Sequence, residues 1–250
     1  MNIPDSKECI KLLEENNVAA NIVEHSRKVT QVALFIAREL KKNGEKINFA
    51  LLEAAAMLHD IDKLKTLDKD EQHGKVGFEI LKEQYPEVAE LVKKHHLAYI
   101  LDDQLQNWEE KVLNLSDARI LEDEVVSLDK RFEYIRNRYP DITGGRREEM
   151  EKLYHILEKE VFKKIKLKPE KLAKAIEEQK QKQKKLRQFR KKQKEQKQEE
   201  PLQENKEEPV QEPETKEEIP QEEQIAEEQQ SEPISEVSSE EGEPAKPKNN

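Results

Sequence analysis

Residues 54–65 read AAAMLHDIDKLK, and the fold turns on how that stretch is read. Ala54, Ala55, Ala56, Met57 and Leu58 make a small-residue apolar helix that runs into His59 and Asp60, with Lys63 three residues beyond the aspartate. A helix this apolar belongs in a core, whereas an imidazole and a carboxylate enter a core only when something pairs them. A metal ion is one such partner. A helix C-terminus is the plainer alternative, because histidine is favourable against the helix dipole and aspartate turns the chain.

The segments on either side repeat the pattern. Asp5 or Ser6 can cap a short helix reaching about Asn17, with Ile10, Leu12 and Leu13 as its apolar contribution. A longer helix is expected over about 20–43, stopped by Gly44 at the position that favours a left-handed cap. Its stripe of Ile22, Val29, Val32, Ala33, Ile36 and Leu40 places His25 on the buried face. Asn48 can cap the helix carrying the central stretch, on which Leu52, Ala55, Ala56 and His59 share a side.

Downstream, His73 and Gly74 open a helix with Val76, Phe78, Ile80 and Leu81, and Pro86 begins the next at the first-turn position where proline is tolerated. Val88, Leu91 and Val92 form that helix's stripe; His95 falls in line with it, and His96 is the alternative. Residues 97–106 read as a polar loop. A helix from Trp108 carries Val112, Leu113, Ile120 and Leu121, with Asp117 on the same face. Two more amphipathic helices, about 124–138 and 146–165, flank the breaker run of residues 140–145. With no sustained alternation of period two, the spacing predicts an all-α core over 1–167. It is followed by a basic helical extension over 168–198 and a disordered acidic Glu/Gln/Pro tail over 199–250.

Composition agrees with that division. Charged residues are 40% of the 250-residue chain and hydrophobic ones 34%, and the latter crowd into the first two thirds. The net charge of -10 conceals blocks of opposite sign: residues 179–198 hold ten Lys/Arg against one Glu, and residues 199–250 hold four Lys against eighteen Glu. The only cysteine is Cys9, which excludes an internal disulfide. With no basic-then-apolar leader and no run near the roughly 18 apolar residues of a membrane span, a soluble cytoplasmic protein is expected.

The inward polar residues are His25, His59, Asp60, His73, His95 (or His96) and Asp117. One histidine on an apolar face is ordinarily a satisfied core residue. Several imidazoles and two carboxylates in one small core are costly without a cation. Mixed nitrogen and oxygen donors suit Zn, Mn, Fe, Co or Ni rather than Ca or Mg. Six ligands exceed what one tetrahedral ion takes, and two divalent ions bridged by Asp60 would use them all. Such a pair lowers the pKa of bound water and clamps the attacking and leaving oxygens of a displacement. The natural substrate is an anionic phosphate ester, with Lys63 able to neutralise a phosphate oxygen.

The order His25, then His59-Asp60, then Asp117 resembles the HD superfamily of metal-dependent phosphohydrolases, and HDIDK at residues 59–63 is similar to the HDIGK form of its HDIG branch. The resemblance covers roughly residues 18–139 and implies a helical HD-domain bundle. It implies one metal on His25, His59, Asp60 and Asp117, and a second on Asp60, His73 and His95, with Lys63 steadying the phosphate of a phosphorylated small molecule or nucleotide. Three features depart from the family pattern. Asp62 stands where HDIG has glycine, the GYP signature of cyclic-dinucleotide phosphodiesterases is absent, and Asn21 occupies the position of an acidic third-metal ligand. Arg27 and Arg119, each two residues from a proposed ligand, are expected at the surface.

Two other functions fit the same residues. A di-iron oxygenase can use this ligand set, and a metal-stabilised, non-enzymatic interaction module can act through the charged tail. The basic segment 179–198 allows nonspecific nucleic-acid contact through phosphates, with only Phe189 available for stacking on bases.

Overall fold

The computed structural model describes residues 2–67, 73–141 and 143–199, with side chains to residue 191. Of the expected tail over 199–250, Glu199 is the last residue of a helix and residues 200–250 lie outside the described residues. The architecture is all-α, apart from one small hairpin.

Helix α1 spans Ser6–Glu15 and begins where the Asp5 carboxylate accepts from the amides of Lys7 and Glu8, satisfying two donors of the first turn. Helix α2, Ala20–Lys42, buries Val29, Val32, Ala33, Ile36, Ala37 and Leu40 and ends before Gly44, whose φ of +94° suits a residue without a Cβ. Helix α3, Phe49–Leu58, is capped by Asn48, whose side chain accepts from Leu51 N. Its residues Leu51, Leu52 and Ala54 to Leu58 are all buried. A helix whose single charged residue is Glu53 belongs near the centre of the bundle, and α3 packs against α1, α2 and α5 (Pro86–Lys94) as well as α6 (Trp108–Ala118). Its three consecutive alanines let those neighbours approach closely.

Between α3 and α5 come a 3-10 turn at Lys63–Lys65 and the short helix α4, Lys75–Leu81, which lies against α5. Pro86 takes the first turn of α5, as expected from its missing amide hydrogen. Helices α7 (Leu128–Arg138) and α8 (Arg147–Ile165) close the bundle, α8 with Met150, Tyr154, Leu157, Val161, Phe162 and Ile165 buried. After a 3-10 turn at Pro169–Lys171, helix α9 covers Leu172–Glu199. Leu172 and Ile176 of α9 still belong to the core, whereas Leu186 and Phe189 are exposed. Among the described residues, no helix is long and apolar enough to cross a membrane.

Three local expectations are corrected. Residues 97–106 are not a polar loop: Leu97–Asp103 form a 3-10 segment, and Ile100, Leu101 and Leu105 are buried. The segment breaks at Asp102 and Asp103, whose φ values of 61° and 53° fall in the left-handed region that aspartate tolerates. Ile120 and Leu121 do not continue α6. They form β1, paired antiparallel with β2 (Glu124–Val125) through a turn with Glu122 at φ 58°. In consequence α7 begins at Leu128 rather than near residue 124, and Ser127 caps it.

The residue that ends α6 explains the hairpin. Arg119 is buried rather than at the surface. Its Nε donates to the Val126 carbonyl at 2.5 Å, one terminal nitrogen meets Glu158 at 2.5 Å, and the other reaches the Pro169 carbonyl at 3.2 Å. One guanidinium thus ties together the residue after β2, helix α8 and the 3-10 turn that precedes α9. Arg27 does stay outside, beside Glu24.

Candidate metal centre

His59 and His95 reach the centre by the same local device. Each follows the last residue of a helix, α3 or α5, where carbonyl groups lack an intrahelical partner. Each ring donates from Nδ1 to the carbonyl three residues back, His59 to Ala56 at 2.8 Å and His95 to Val92 at 2.5 Å. That bond fixes the tautomer and aims Nε2 inward.

The other two rings are held by long-range partners. His25, from the second turn of α2, donates Nδ1–H to the carbonyl of Glu122 in the hairpin turn at 2.9 Å. His73, just before α4, donates Nδ1–H to Asp62 Oδ1 at 2.8 Å. Four imidazoles therefore have Nδ1 engaged and Nε2 converging on the two carboxylates.

The distances define two groups with one member in common. His25, His59 and Asp60 have ligand atoms within 4.8 Å of one another, and so do Asp60, His73 and His95. Asp117, on α6, joins the first group through contacts of 3.0 Å to His25 Nε2 and 3.8 Å to His59 Nε2. Asp60 Oδ2 faces the first group, 3.6 Å from His59 Nε2, while Oδ1 faces the second, 2.9 Å from His73 Nε2 and 3.7 Å from His95 Nε2. Lys63 Nζ sits 3.7 Å from Asp60 Oδ1 and 3.3 Å from His73 Nε2. His96 is in neither group; its Nδ1 accepts from Ala98 N at 3.4 Å, although the ring lines the same cleft.

These donors fit a metal on structural grounds. His59 Nε2 is fully buried with no hydrogen-bond partner, its lone pair facing two carboxylates. His73 and His95 bring their Nε2 atoms to 3.0 Å. Lone pairs opposed in this way need a cation or a proton between them.

The electrostatics of the metal-free centre separate the rings, leaving His59 neutral and His73 protonated. Burial pushes His59 down to about 4, so its ring is neutral at pH 7 and available as a ligand. Burial also opposes charge on His73, but hydrogen bonds to Asp60 and Asp62 outweigh it and hold that ring up at about 9. The two carboxylates stay ionised in spite of burial. Lys63, His59 and hydrogen bonds from His73 and His95 keep Asp60 well below its ordinary value, and the His25 hydrogen bond with the nearby rings does the same for Asp117. Burial drives His96 down to about 3, and the neighbouring His95 and His73 rings act in the same direction.

Two residues that sequence reasoning did not assign belong to this centre. Asp62 is fully buried: Oδ1 accepts from His73, and Oδ2 accepts from the amides of Gly74 and Gly77, both at 2.8 Å. It therefore orients one imidazole and caps α4. A Cβ on Gly77 would lie 2.8 Å from Val92 Cγ1 and 3.4 Å from Asp62 Oδ2, so this glycine permits the close approach. Nothing in the local pattern of a turn announces such a contact. The second is Arg131, which lines the cleft from α7. Here a signal did exist: Arg131 lies three residues after Leu128 and four before Ile135, on the inward face.

Residues 22–126 match the family model described as HD domain. A relative named Ribonuclease Y, from Treponema denticola, is 32% identical over 88 residues, which are 34% of this chain and 16% of that protein. The uncharacterized protein MJ0778 of Methanocaldococcus jannaschii is 32% identical over 84 residues, 33% of this chain and 48% of that protein. The chain thus spans less than half the length of these curated relatives. No solved structure matches.

Proposed function

Residues 22–126 are an HD domain, and from that premise we propose that the chain is a metal-dependent phosphohydrolase with a binuclear His/Asp centre, acting on a nucleotide or related phosphate ester. The observation that carries this reading is the position of Asp60, one oxygen toward each histidine group. His25, His59, Asp60 and Asp117 are assigned to one divalent ion, and Asp60, His73 and His95 to the other. Bound there, the ions would supply Lewis acidity and a water of lowered pKa. The chain's own residues do the rest. The tethered rings hold the ligand geometry, Asp60 fixes the spacing of the two groups, and Lys63 offers an ammonium to a phosphate oxygen at the edge of the shared carboxylate. The metal, Mn, Fe, Zn, Co or Ni, is left to measurement, because nitrogen and oxygen donors accommodate all five.

The name of the Treponema relative brings RNA into the set of substrates to be tried. The exposed Lys and Arg side chains over residues 174–191 of α9 suit nonspecific contact with nucleic-acid phosphates, and the single buried thiol Cys9 suits a cytoplasmic location.

The test is metal analysis of the full-length protein prepared under several metal supplies, followed by a panel of phosphate monoesters, diesters, nucleotides and single-stranded RNA, with His59→Ala and Asp60→Asn as controls. Two ions per chain, with anaerobic release of phosphate or nucleotide that both controls abolish, is the expected result. Oxygen consumption confined to the iron form, without hydrolysis, would replace the reading with the oxygenase. Fewer than one ion under every supply would end the binuclear assignment.

A further inference from the structure

The cleft over Asp60 contains one cation that the metal centre leaves without work. Arg131 lines two clefts, of about 120 Å3 and about 490 Å3. The narrower holds His73 and His95, and the wider runs over Asn21, Glu122 and Tyr134. Both include His25, Asp60, Lys63 and Tyr139, so they meet at the metal centre, and Arg131 stands at the junction.

Neighbouring cations are engaged. Lys63 contacts Asp60 and His73, and Arg147 lies 3.8 Å from Asp141 and donates to the Tyr139 carbonyl. Arg131 differs: its Nε is buried with no hydrogen-bond partner, and its guanidinium makes no ion pair among the described residues. Arg131 as a whole is half-buried and faces the clefts, but a buried Nε–H without an acceptor is costly, and the cost is removed when a ligand brings oxygens to it. The planar fork matches the geometry of phosphate, to which it can give two parallel hydrogen bonds. Its charge also acts on Asp117 and Lys63, which places it within electrostatic reach of both.

We infer that Arg131 is the anion-binding residue of this site, its guanidinium receiving non-bridging oxygens of the substrate phosphate across the cleft from Asp60. The inference rests on the phosphohydrolase reading. The wider cleft falls in the roughly 300–1,000 Å3 range of small-molecule sites, leaving space for the organic part of the ester.

The experiment titrates inorganic phosphate into the Mn-saturated full chain by calorimetry and counts bound Mn in the same samples, for the wild type, Arg131→Gln and Arg131→Lys. Arg131→Gln should weaken phosphate about 10- to 100-fold with bound Mn unchanged. Arg131→Lys should fall between it and the wild type, because charge is kept while the paired donors are lost. If Arg131→Gln does not fold, Arg131→Lys alone decides, and wild-type affinity in it overturns the assignment. Unaltered phosphate affinity in Arg131→Gln overturns it as well, and so does joint loss of Mn and phosphate, which would make the arginine a counter-charge for the ligand carboxylates. A wild type that holds two Mn but no phosphate sinks the anion site and leaves the hydrolase reading standing. If Mn does not bind, the titration is run with whichever of Fe, Zn, Co or Ni the protein holds, with the same outcomes, and a wild type that holds none of the five removes both.

Discussion

Asp62 Oδ1 accepts the Nδ1 hydrogen of His73 at 2.8 Å, and through that bond a residue that touches no proposed ion decides how one proposed ligand is aimed. The carboxylate's other oxygen is held by the amides of Gly74 and Gly77. Replacing Asp62 with the glycine expected from the HDIG resemblance removes the short bond that aims the His73 ring, leaving Nδ1 only the 3.5 Å contact with the Thr66 hydroxyl, and leaves α4 without its cap. Asp62→Gly should weaken the ion on Asp60, His73 and His95 by about 10- to 100-fold while the ion on His25, His59 and Asp117 is retained. Competitive chelator titration of Mn, resolved into two sites, checks this; equal weakening of both sites would contradict it.

A pH effect follows for the metal-free protein. The folded value of His73 is raised from 6.5 to about 9, so its contribution to stability is fully present below pH 6.5 and is lost as pH rises through 9. The thermal midpoint of chelator-treated protein should fall between those two values. His73→Gln should flatten that part of the profile. Between pH 6.5 and 9 the ion on this group must also displace the His73 proton, so its uptake should release a proton, measurable by calorimetry in buffers of different ionisation enthalpy.

Gly77→Ala tests the contact between α4 and α5. The added methyl would sit 2.8 Å from Val92 Cγ1, a side chain that is fully buried and stiff at χ1. Overpacking of this kind costs about 1–3 kcal/mol. A midpoint lowered by several degrees in thermal denaturation is expected, and an unchanged midpoint would show that α4 shifts without cost.

Arg119→Met should act on stability rather than on the metal centre. Removing the guanidinium leaves Glu158 unpaired and the Val126 and Pro169 carbonyls without their donor. A loss of about 3 kcal/mol or more in urea unfolding is expected, with bound metal unchanged in the protein that remains folded.

Much of the molecule was legible in the chain because helical periodicity is a local property. The inward faces carrying His25, His59, His95 and Asp117 follow from apolar neighbours three and four residues away, and the ends of α1, α2 and α3 follow from Asp5, Gly44 and Asn48. The hairpin was not legible. Ile120 and Leu121 continue the apolar spacing of α6, and only Arg119, tied to Val126, Glu158 and Pro169, turns the chain there. The 3-10 segment after α5 escaped for a similar reason, since its buried Ile100 and Leu101 sit among aspartates.

The sequence by itself determined which residue types face the core and therefore that imidazoles and carboxylates would be buried together. Only the tertiary structure decided how they are shared: Asp60 turned one oxygen toward each histidine group, His95 entered the second group while His96 capped a turn, and Asp62 became the support for His73. The physical reason is range. Periodicity reports which side of its own helix a residue occupies, whereas a ligand's partner is set by how α2, α3, α5 and α6 pack, and contacts between residues far apart in sequence leave no mark in the spacing of either.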